Sequence, residues 1–245
     1  MTQPTIIGVG SNSTAYQPTV NNSGTTRVFT NVEIPATAQL VFLQAGLDSD
    51  ATGKVLDSFT YSGLSDHTVL FDLDPSPAQN VRASRFTVLD VSKAGAMTIT
   101  VTAPILNTSG VTSSTTAGGI LGVVCTDGFI QNLTLTHDRL FEHHKLKVFQ
   151  GNSANTTLVS MAVLDHVAEG VNISETGASQ IYQGVSGNIR NLAIQQSTVG
   201  TDNFQSIVME CDNKADDMAH AVILLSSQSD PFDGITGKLT SPIIK

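Results

Sequence analysis

Hydrophobic and polar residues alternate with a period of two over most of this chain. Residues 97–103 show the pattern clearly, because Met97, Ile99 and Val101 would share one face of a strand while threonines occupy the other. Such alternation indicates strands with one face in a core and the other in water. Residues 39–47 are more continuously apolar and therefore predict a central strand.

Further segments of the same kind follow along the chain. The predicted strands are Thr26–Ile34, 39–47, 55–61, 67–73, 81–91, 97–103, Gly119–Thr126, 131–136, 145–150, Thr156–Asp165, 190–196, 204–211 and 218–225. Turn signals rich in Gly, Pro, Asn and Asp separate them, which is typical of an all-β sandwich or barrel. Only residues 140–147 and 214–225 offer short helices, and the apolar, β-branched end of the second favours a strand.

These elements predict an all-β fold, an antiparallel β-sandwich of about 12–14 strands, with two stacked sandwiches as the alternative. Residues 1–25 read as an extended N-terminal arm, residues 26–228 as the β-sandwich and residues 229–245 as a C-terminal tail. The uncharged stretch 106–118 is interpreted as a long loop or, alternatively, as a subdivision. Such arms are either disordered or add to a neighbouring subunit's sheet.

Charge and composition narrow the function classes. The net charge of −9 would repel nucleic acid, and the chain contains no basic stripe. No apolar run reaches the roughly 18 residues of a membrane span, and the start MTQPTIIGVG lacks the pattern of a signal peptide. We therefore expect synthesis in a cytoplasm, with neither nucleic acid nor membrane as a partner.

A candidate calcium loop lies in the run DSDATG, where Asp48, Asp50 and Thr52 offer oxygen donors at alternate positions before a glycine. Calcium needs several oxygen ligands around a sharp turn. Position twelve of that loop is Phe59 instead of a bidentate glutamate. We interpret the run as a turn between strands. A partial calcium site, completed by the acidic loop at 72–74, is the alternative, and no other cofactor is expected.

Other candidate chemistry is weaker. The run 137–144 (HDRLFEHH) gathers metal-capable residues, but neither helix nor strand spacing brings three ligands together, so we expect a solvated loop. Cys125 and Cys211 are expected to be buried free thiols, with a disulfide as the alternative if their strands are neighbours. No P-loop, nucleophile elbow or dinucleotide motif occurs, so we predict that the chain is not an enzyme.

A resemblance emerges from the order of five segments. They are IPATAQLVFLQAGL, VLDSFTYSG, RASRFTVLDVSKAGAMTITVTAP, GGILGVVCTDG and TTLVSMAVLD. This layout resembles jelly-roll (concanavalin-like) β-sandwich virion structural proteins of bacteriophages, over about residues 30–225. The resemblance implies a jelly-roll type of sandwich and carries no functional residue over to a numbered position.

We therefore hypothesise that the chain is a structural component of a phage virion. It would lie on the capsid, as a shell or decoration protein, or on the tail. It would self-assemble as a homo-oligomer, with a trimer favoured, through sheet edges and terminal arms, and would contact other virion proteins. A carbohydrate- or receptor-binding module on a fibre or spike is the alternative. Its glycan partner has weak support, because the chain has no Trp and only three Tyr to stack on sugar rings.

Overall fold

The computed structural model describes residues 4–10, 20–22, 24–47, 53–74, 84–149, 155–165, 171–173, 178–186, 189–196 and 204–227. The described strands are β1 (Ile6–Gly10), β2 (Val20–Asn22), β3 (Thr26–Ile34), β4 (Leu40–Leu47), β5 (Lys54–Leu56), β6 (Thr60–Ser62), β7 (Thr68–Leu73), β8 (Ser84–Asp90), β9 (Met97–Asn107), β10 (Gly119–Thr126), β11 (Phe129–Phe149), β12 (Thr156–Asp165), β13 (Val171–Ile173), β14 (Ala178–Ser186), β15 (Ile189–Gln196) and β16 (Phe204–Ser226).

The strands form three sheets. The central sheet has the order β1-β10-β4-β8-β7, and the front sheet has the order β2-β3-β9-β5 with β6 also on β9. The back sheet has the order β11-β16-β12-β15-β14, with β13 also on β16. Every pairing between described strands is antiparallel, and none of the described residues is α-helical. The predicted all-β, antiparallel fold is confirmed.

The sheets stack in three layers around two cores. In the front core, Val41 and Leu43 of β4 pack with Ile99 and Val101 of β9, between the central and front sheets. In the back core, Phe42 of β4 packs with residues of β12, β15 and β16, between the central and back sheets. All residues of β4 and β10 are buried because both faces of the central sheet are covered. This explains their continuously apolar sequences.

Several strand boundaries agree with the sequence prediction, and others differ. Strands β3, β10 and β12 have the predicted bounds. The predicted strand 131–136 and residues 145–149 of the predicted strand 145–150 are parts of one strand, β11, and 204–211 and 218–225 are parts of β16. The short helix considered at 140–147 is wrong, because the backbone ladder between β11 and β16 continues through this polar run.

The segment between β9 and β10 is held by a buried arginine. Arg27 of β3 has no exposed surface. Its Nη2 donates to the Thr115 carbonyl at 2.9 Å, and its Nε donates to the Ala117 carbonyl at 3.0 Å. Burial lowers the pKa of the Arg27 guanidinium. These bonds fix the long 106–118 stretch as a connection packed on the front sheet.

The described N-terminal residues are tied to the body of the molecule. Strand β1 pairs with β10 at an edge of the central sheet. The backbone amide and the hydroxyl of Thr5 each donate to the Asp127 carboxylate at 2.6 Å. Thr126 Oγ1 donates to the Thr5 carbonyl at 2.7 Å. The predicted C-terminal tail, residues 229–245, lies outside the described residues.

Candidate functional site

The predicted calcium ligands Asp48, Asp50 and Thr52 lie outside the described residues. The acidic loop considered as their complement begins with Asp72, whose Oδ1 accepts from Arg85 Nε at 2.6 Å and from Thr87 Oγ1 at 3.1 Å. Within the described part of the chain, no group of three or more His, Cys, Asp or Glu side chains could hold a metal ion. The calcium site stays a prediction.

The ion pair between Asp72 and Arg85 joins strands β7 and β8 to the β5–β6 segment. Arg85 also donates to Ser58 Oγ at 2.9 Å and to the Leu56 carbonyl at 3.3 Å. Burial alone would raise the pKa of Asp72, but hydrogen bonds from Arg85, Ser58 and Thr87 and the charge of Arg85 outweigh burial and lower this pKa. The cluster connects the central and front sheets and is a structural feature.

A serine and a histidine meet on the back sheet. Ser160 Oγ of β12 is hydrogen-bonded to His220 Nε2 of β16. Hydroxyl and imidazole in contact are the basic requirement for an activated nucleophile. Both side chains have no exposed surface, so a substrate cannot reach the pair in this structure. Sequence reasoning missed the contact because 60 positions separate the two residues and no local motif joins them.

The described tyrosines do not offer a platform for stacking sugars. Tyr182 is buried in the back core, and burial raises the pKa of its hydroxyl. Tyr61 is half-buried with its ring edge-on to His67, and burial followed by the charge of Asp72 raises its pKa. Tyr16 lies outside the described residues. A flat, open aromatic face is what carbohydrate stacking requires.

The two cysteines occupy different sheets. Cys125 of β10 is a buried free thiol in the front core, which confirms the prediction for this residue. Burial raises the pKa of Cys125 to about 12. Cys211 belongs to β16, where it pairs with Val171 of β13. The alternative of a disulfide between Cys125 and Cys211 is wrong, because the first of them is free.

The most unusual feature of the back sheet is the length of two strands. Strand β11 has 21 residues and β16 has 23, and the two pair from Phe129 opposite Ser226 to Phe149 opposite Phe204. Among the described residues, β12 pairs with β16 from residue 217 to residue 226, and β13 pairs with it at residues 209–211. We call residues 139–149 of β11 with residues 204–216 of β16 the ribbon. At about 3.3 Å per residue, the β16 part of the ribbon spans roughly 40 Å.

The predicted solvated loop at 137–144 is wrong, because this run belongs to β11. The register within the ribbon places His143 opposite Glu210 and Leu146 opposite Ile207. Between the pairs at Phe141 and His143, β11 has one residue and β16 has four. Such a bulge bends a strand and changes where its side chains are directed. Residues 211–214 of β16 therefore form a four-residue bulge in the ribbon.

A second edge presents apolar residues. Strand β7 is at the edge of the central sheet, and its Val69 and Leu70 are 46% and 41% exposed. Its register with β8 shifts between Val69 and Phe71. Edge bulges of this kind oppose pairing with another chain. This edge is therefore less suited to association than the ribbon.

The described part of the chain contains no helix long and apolar enough to cross a membrane. Comparisons with protein-family models, curated proteins and solved structures find no match to this chain.

Proposed function

We propose that this protein is a structural component of a phage virion that self-assembles as a homo-oligomer, with a trimer favoured. It would be placed on the capsid, as a shell or decoration protein, or on the tail, in contact with other virion proteins. The observation that supports the proposal is the ribbon, in which β11 and β16 stay paired over roughly 40 Å beyond the last pair between β12 and β16. The role of this element is contact with another copy.

A contact with another copy along the ribbon is favoured on physical grounds. An isolated two-stranded antiparallel element is marginally stable in water at best. Strand β13 pairs with β16 at residues 209–211, and at residues 204–208 β11 is the one strand paired with β16 among the described ones. The register places Leu146 directly opposite Ile207. Association with another copy would add hydrogen bonds and buried surface at this end of the sheet.

A jelly-roll type of sandwich for the first half of the chain is part of the proposal. A jelly roll is a long antiparallel hairpin rolled into two sheets, so its strand pairs are nested from the outermost to the innermost. Strand β1 pairs with β10, β3 with β9, and β4 with β8. This nesting supports the jelly-roll topology, and the back sheet is then an addition that covers its second face.

The hydrogen bonds and ion pairs within the chain also favour a structural role. Arg27 binds backbone carbonyls, Arg85 binds Asp72, and Thr5 binds Asp127. Each of these described polar groups ties one part of the chain to another part of it. A glycan- or receptor-binding module remains the alternative function, although Tyr182 is buried and gives such a module no platform.

The proposal is tested by the mass of the full chain in solution and by its place on a particle. Light scattering after size exclusion is expected to give a multiple of 25.7 kDa, with three copies favoured. Antibody against the chain is expected to label phage particles in negative-stain images. A monomer at all concentrations that labels no particle would contradict the proposal. Micromolar binding on a glycan array by such a monomer would instead favour the alternative function.

A further inference from the structure

We infer that the outer face of the front sheet pairs two copies of this chain across a two-fold axis. The inference rests on the proposed self-assembly and adds a second contact surface to it, distinct from the ribbon. The surface consists of outward side chains of three neighbouring strands, and we call it the threonine face. Its members are Val28 of β3, Thr98, Thr100 and Thr102 of β9, and Thr60 and Ser62 of β6.

The alternation along β9 directs its threonines away from the core. Val101 is fully buried between the front and central sheets. Successive side chains of a strand point to opposite faces, so Thr100 and Thr102 lie on the outward face. Thr98 is exposed, and Thr100 and Thr102 are partly buried. The threonine face is therefore a surface that none of the described sheets covers.

The register brings the hydroxyl groups of this face into rows across the sheet. Thr102 lies opposite Val28 of β3 on one side and opposite Thr60 of β6 on the other. Thr100 lies opposite Ser62 in the next row, and both β6 residues are exposed. Rows repeat about every 6.8 Å along the strands, and neighbouring strands are about 4.8 Å apart. The face is therefore a regular array of hydroxyl and methyl groups.

The threonine face has no charged member. Residues 94–126 contain no Asp, Glu, Lys, Arg or His, and Glu33, which lies opposite Thr98, marks one end of the face. Copies of a chain with net charge −9 repel each other, and this repulsion is smallest where the surfaces that meet are uncharged. The middle of protein interfaces is likewise depleted in charged residues. The charge distribution therefore favours this face for contact with a second copy.

Hydroxyl groups make the face complementary to itself. A two-fold axis brings the same patch of both copies together. A patch of carboxylates only accepts hydrogen bonds and a patch of ammonium groups only donates them, so neither matches its own copy. A threonine hydroxyl both donates and accepts, so an array of hydroxyls matches a second array of the same kind. The same face of another copy is therefore the partner that fits.

The contact is small. Three strands about 4.8 Å apart, over roughly 20 Å of β9, give a flat area of roughly 300 Å² per copy. A standard interface buries about 800 Å² per partner, so we expect a weak contact that forms at high protein concentration. If other surfaces form a trimer, the threonine face joins two trimers into an assembly of six copies. Without such a trimer, the threonine face forms a dimer.

The test uses the full-length chain and two variants with added charge. T100K/T102K gives the face two positive charges, and T100D/T102D gives it two negative charges. Because like charges would then meet across the two-fold axis, each variant alone is expected to have half the mass of the unmodified assembly in light scattering at high concentration. An equimolar mixture is expected to restore the full mass. Native mass spectrometry is expected to find equal numbers of both variants in the restored assembly.

S179K/Q180K is the matched control. It adds two positive charges at exposed positions of β14 in the back sheet and is expected to keep the full mass. If T100K/T102K loses its β-sheet circular dichroism, T60K/T98K takes its place with the same expected result, because both positions of the face are exposed.

The outcomes separate this inference from the proposed function. If the charged variants keep the full mass, or the unmodified assembly stays at three copies at every concentration, self-assembly stands and the inference is wrong. A mixture that keeps the half mass would overturn two-fold pairing of this face. An unmodified chain that is monomeric at all concentrations would overturn both proposals. Glycan-array binding by the unmodified chain that T100K/T102K removes would assign the face to a glycan and overturn the inference.

Discussion

The front core and the back core share the central sheet but are built differently. The front core consists of apolar side chains together with the Cys125 thiol and the partly buried Tyr61, whose hydroxyl is its one buried polar atom without a hydrogen-bond partner among the described residues. The back core has comparable apolar residues but also contains Gln44, Tyr182 and Asn191. Gln44 Oε1, the Tyr182 hydroxyl and both polar atoms of the Asn191 side chain have no hydrogen-bond partner among the described residues. Since such atoms cost free energy when buried, the back core is the weaker of the two.

Glycines allow the central and back sheets to approach each other closely. A Cβ at Gly46 would lie 2.4 Å from Val163 Cγ1 and 2.7 Å from Ile189 Cδ1, both in the back sheet. A Cβ at Gly122 would lie 2.0 Å from the Tyr182 hydroxyl. The central and back sheets therefore approach each other through positions without side chains. Because the two sheets are in such close contact, larger side chains have little room between them. The following variants measure how much this packing contributes to the free energy of unfolding.

The largest effect is expected from Phe42→Ala. Phe42 is fully buried in the back core and stacks on Phe86 with ring centroids 6.4 Å apart. Truncation of a buried Phe costs about 3–5 kcal/mol of unfolding free energy, which urea titration measures. Its neighbour Leu43 faces the front core and supplies the matched variant, Leu43→Ala, expected to cost about 2–5 kcal/mol. A cost below about 1 kcal/mol for Phe42→Ala alone would show that the back core does not form in solution.

A smaller loss is expected from Gly46→Ala. The added methyl group would overlap Val163 and Ile189, and overpacking of a core typically costs about 1–3 kcal/mol. Gly95→Ala is the control, because a Cβ at Gly95 has no atom within 4 Å, and it is expected to change stability by less than about 0.5 kcal/mol. Equal thermal stability of the two variants would contradict close contact between the central and back sheets.

Asn191→Leu is expected to leave stability unchanged or to raise it by roughly 1 kcal/mol. The change removes two polar atoms that have no partner among the described residues and keeps a similar volume. Chemical denaturation of this variant, compared with the unmodified chain, measures the difference. A loss above about 1 kcal/mol would mean that Asn191 makes stabilising hydrogen bonds, and the back core would then not be the weaker core.

The smallest effect is expected from Asp72→Asn and depends on pH. The pKa of Asp72 is lowered in the folded chain, so its contribution is present above the unfolded pKa, about 3.9, and is lost as pH falls through the folded pKa. Asp72 is partly exposed, so the expected cost at pH 7 is about 0.2–1 kcal/mol. Thermal unfolding of both chains is expected to converge as pH falls below about 4. A difference that stays constant down to pH 2 would contradict this role for the ion pair.

The sequence predicted strands where one face or both faces have a consistent polarity, as in β3, β10 and β12. It could not predict the three-layer stack, because a period of two identifies an apolar face but not the sheet that covers it. The continuity of β11 was missed because the run at 137–144 has no alternation, and its strand is held by pairing with β16. Contacts between distant residues, such as Ser160 with His220, leave no local signal.

The doubly covered central sheet has a consequence for synthesis on the ribosome. Its last strand, β10, ends at Thr126, whereas the last strand of the back sheet that covers it, β16, ends at Ser226. The 100 residues between these positions take roughly 5–20 s to translate at bacterial rates of about 5–20 residues per second. For that interval the nascent chain exposes a wide apolar surface near other nascent copies. Because apolar surface of this kind is prone to association during folding, we expect the yield of correctly folded chains to fall as the expression rate rises.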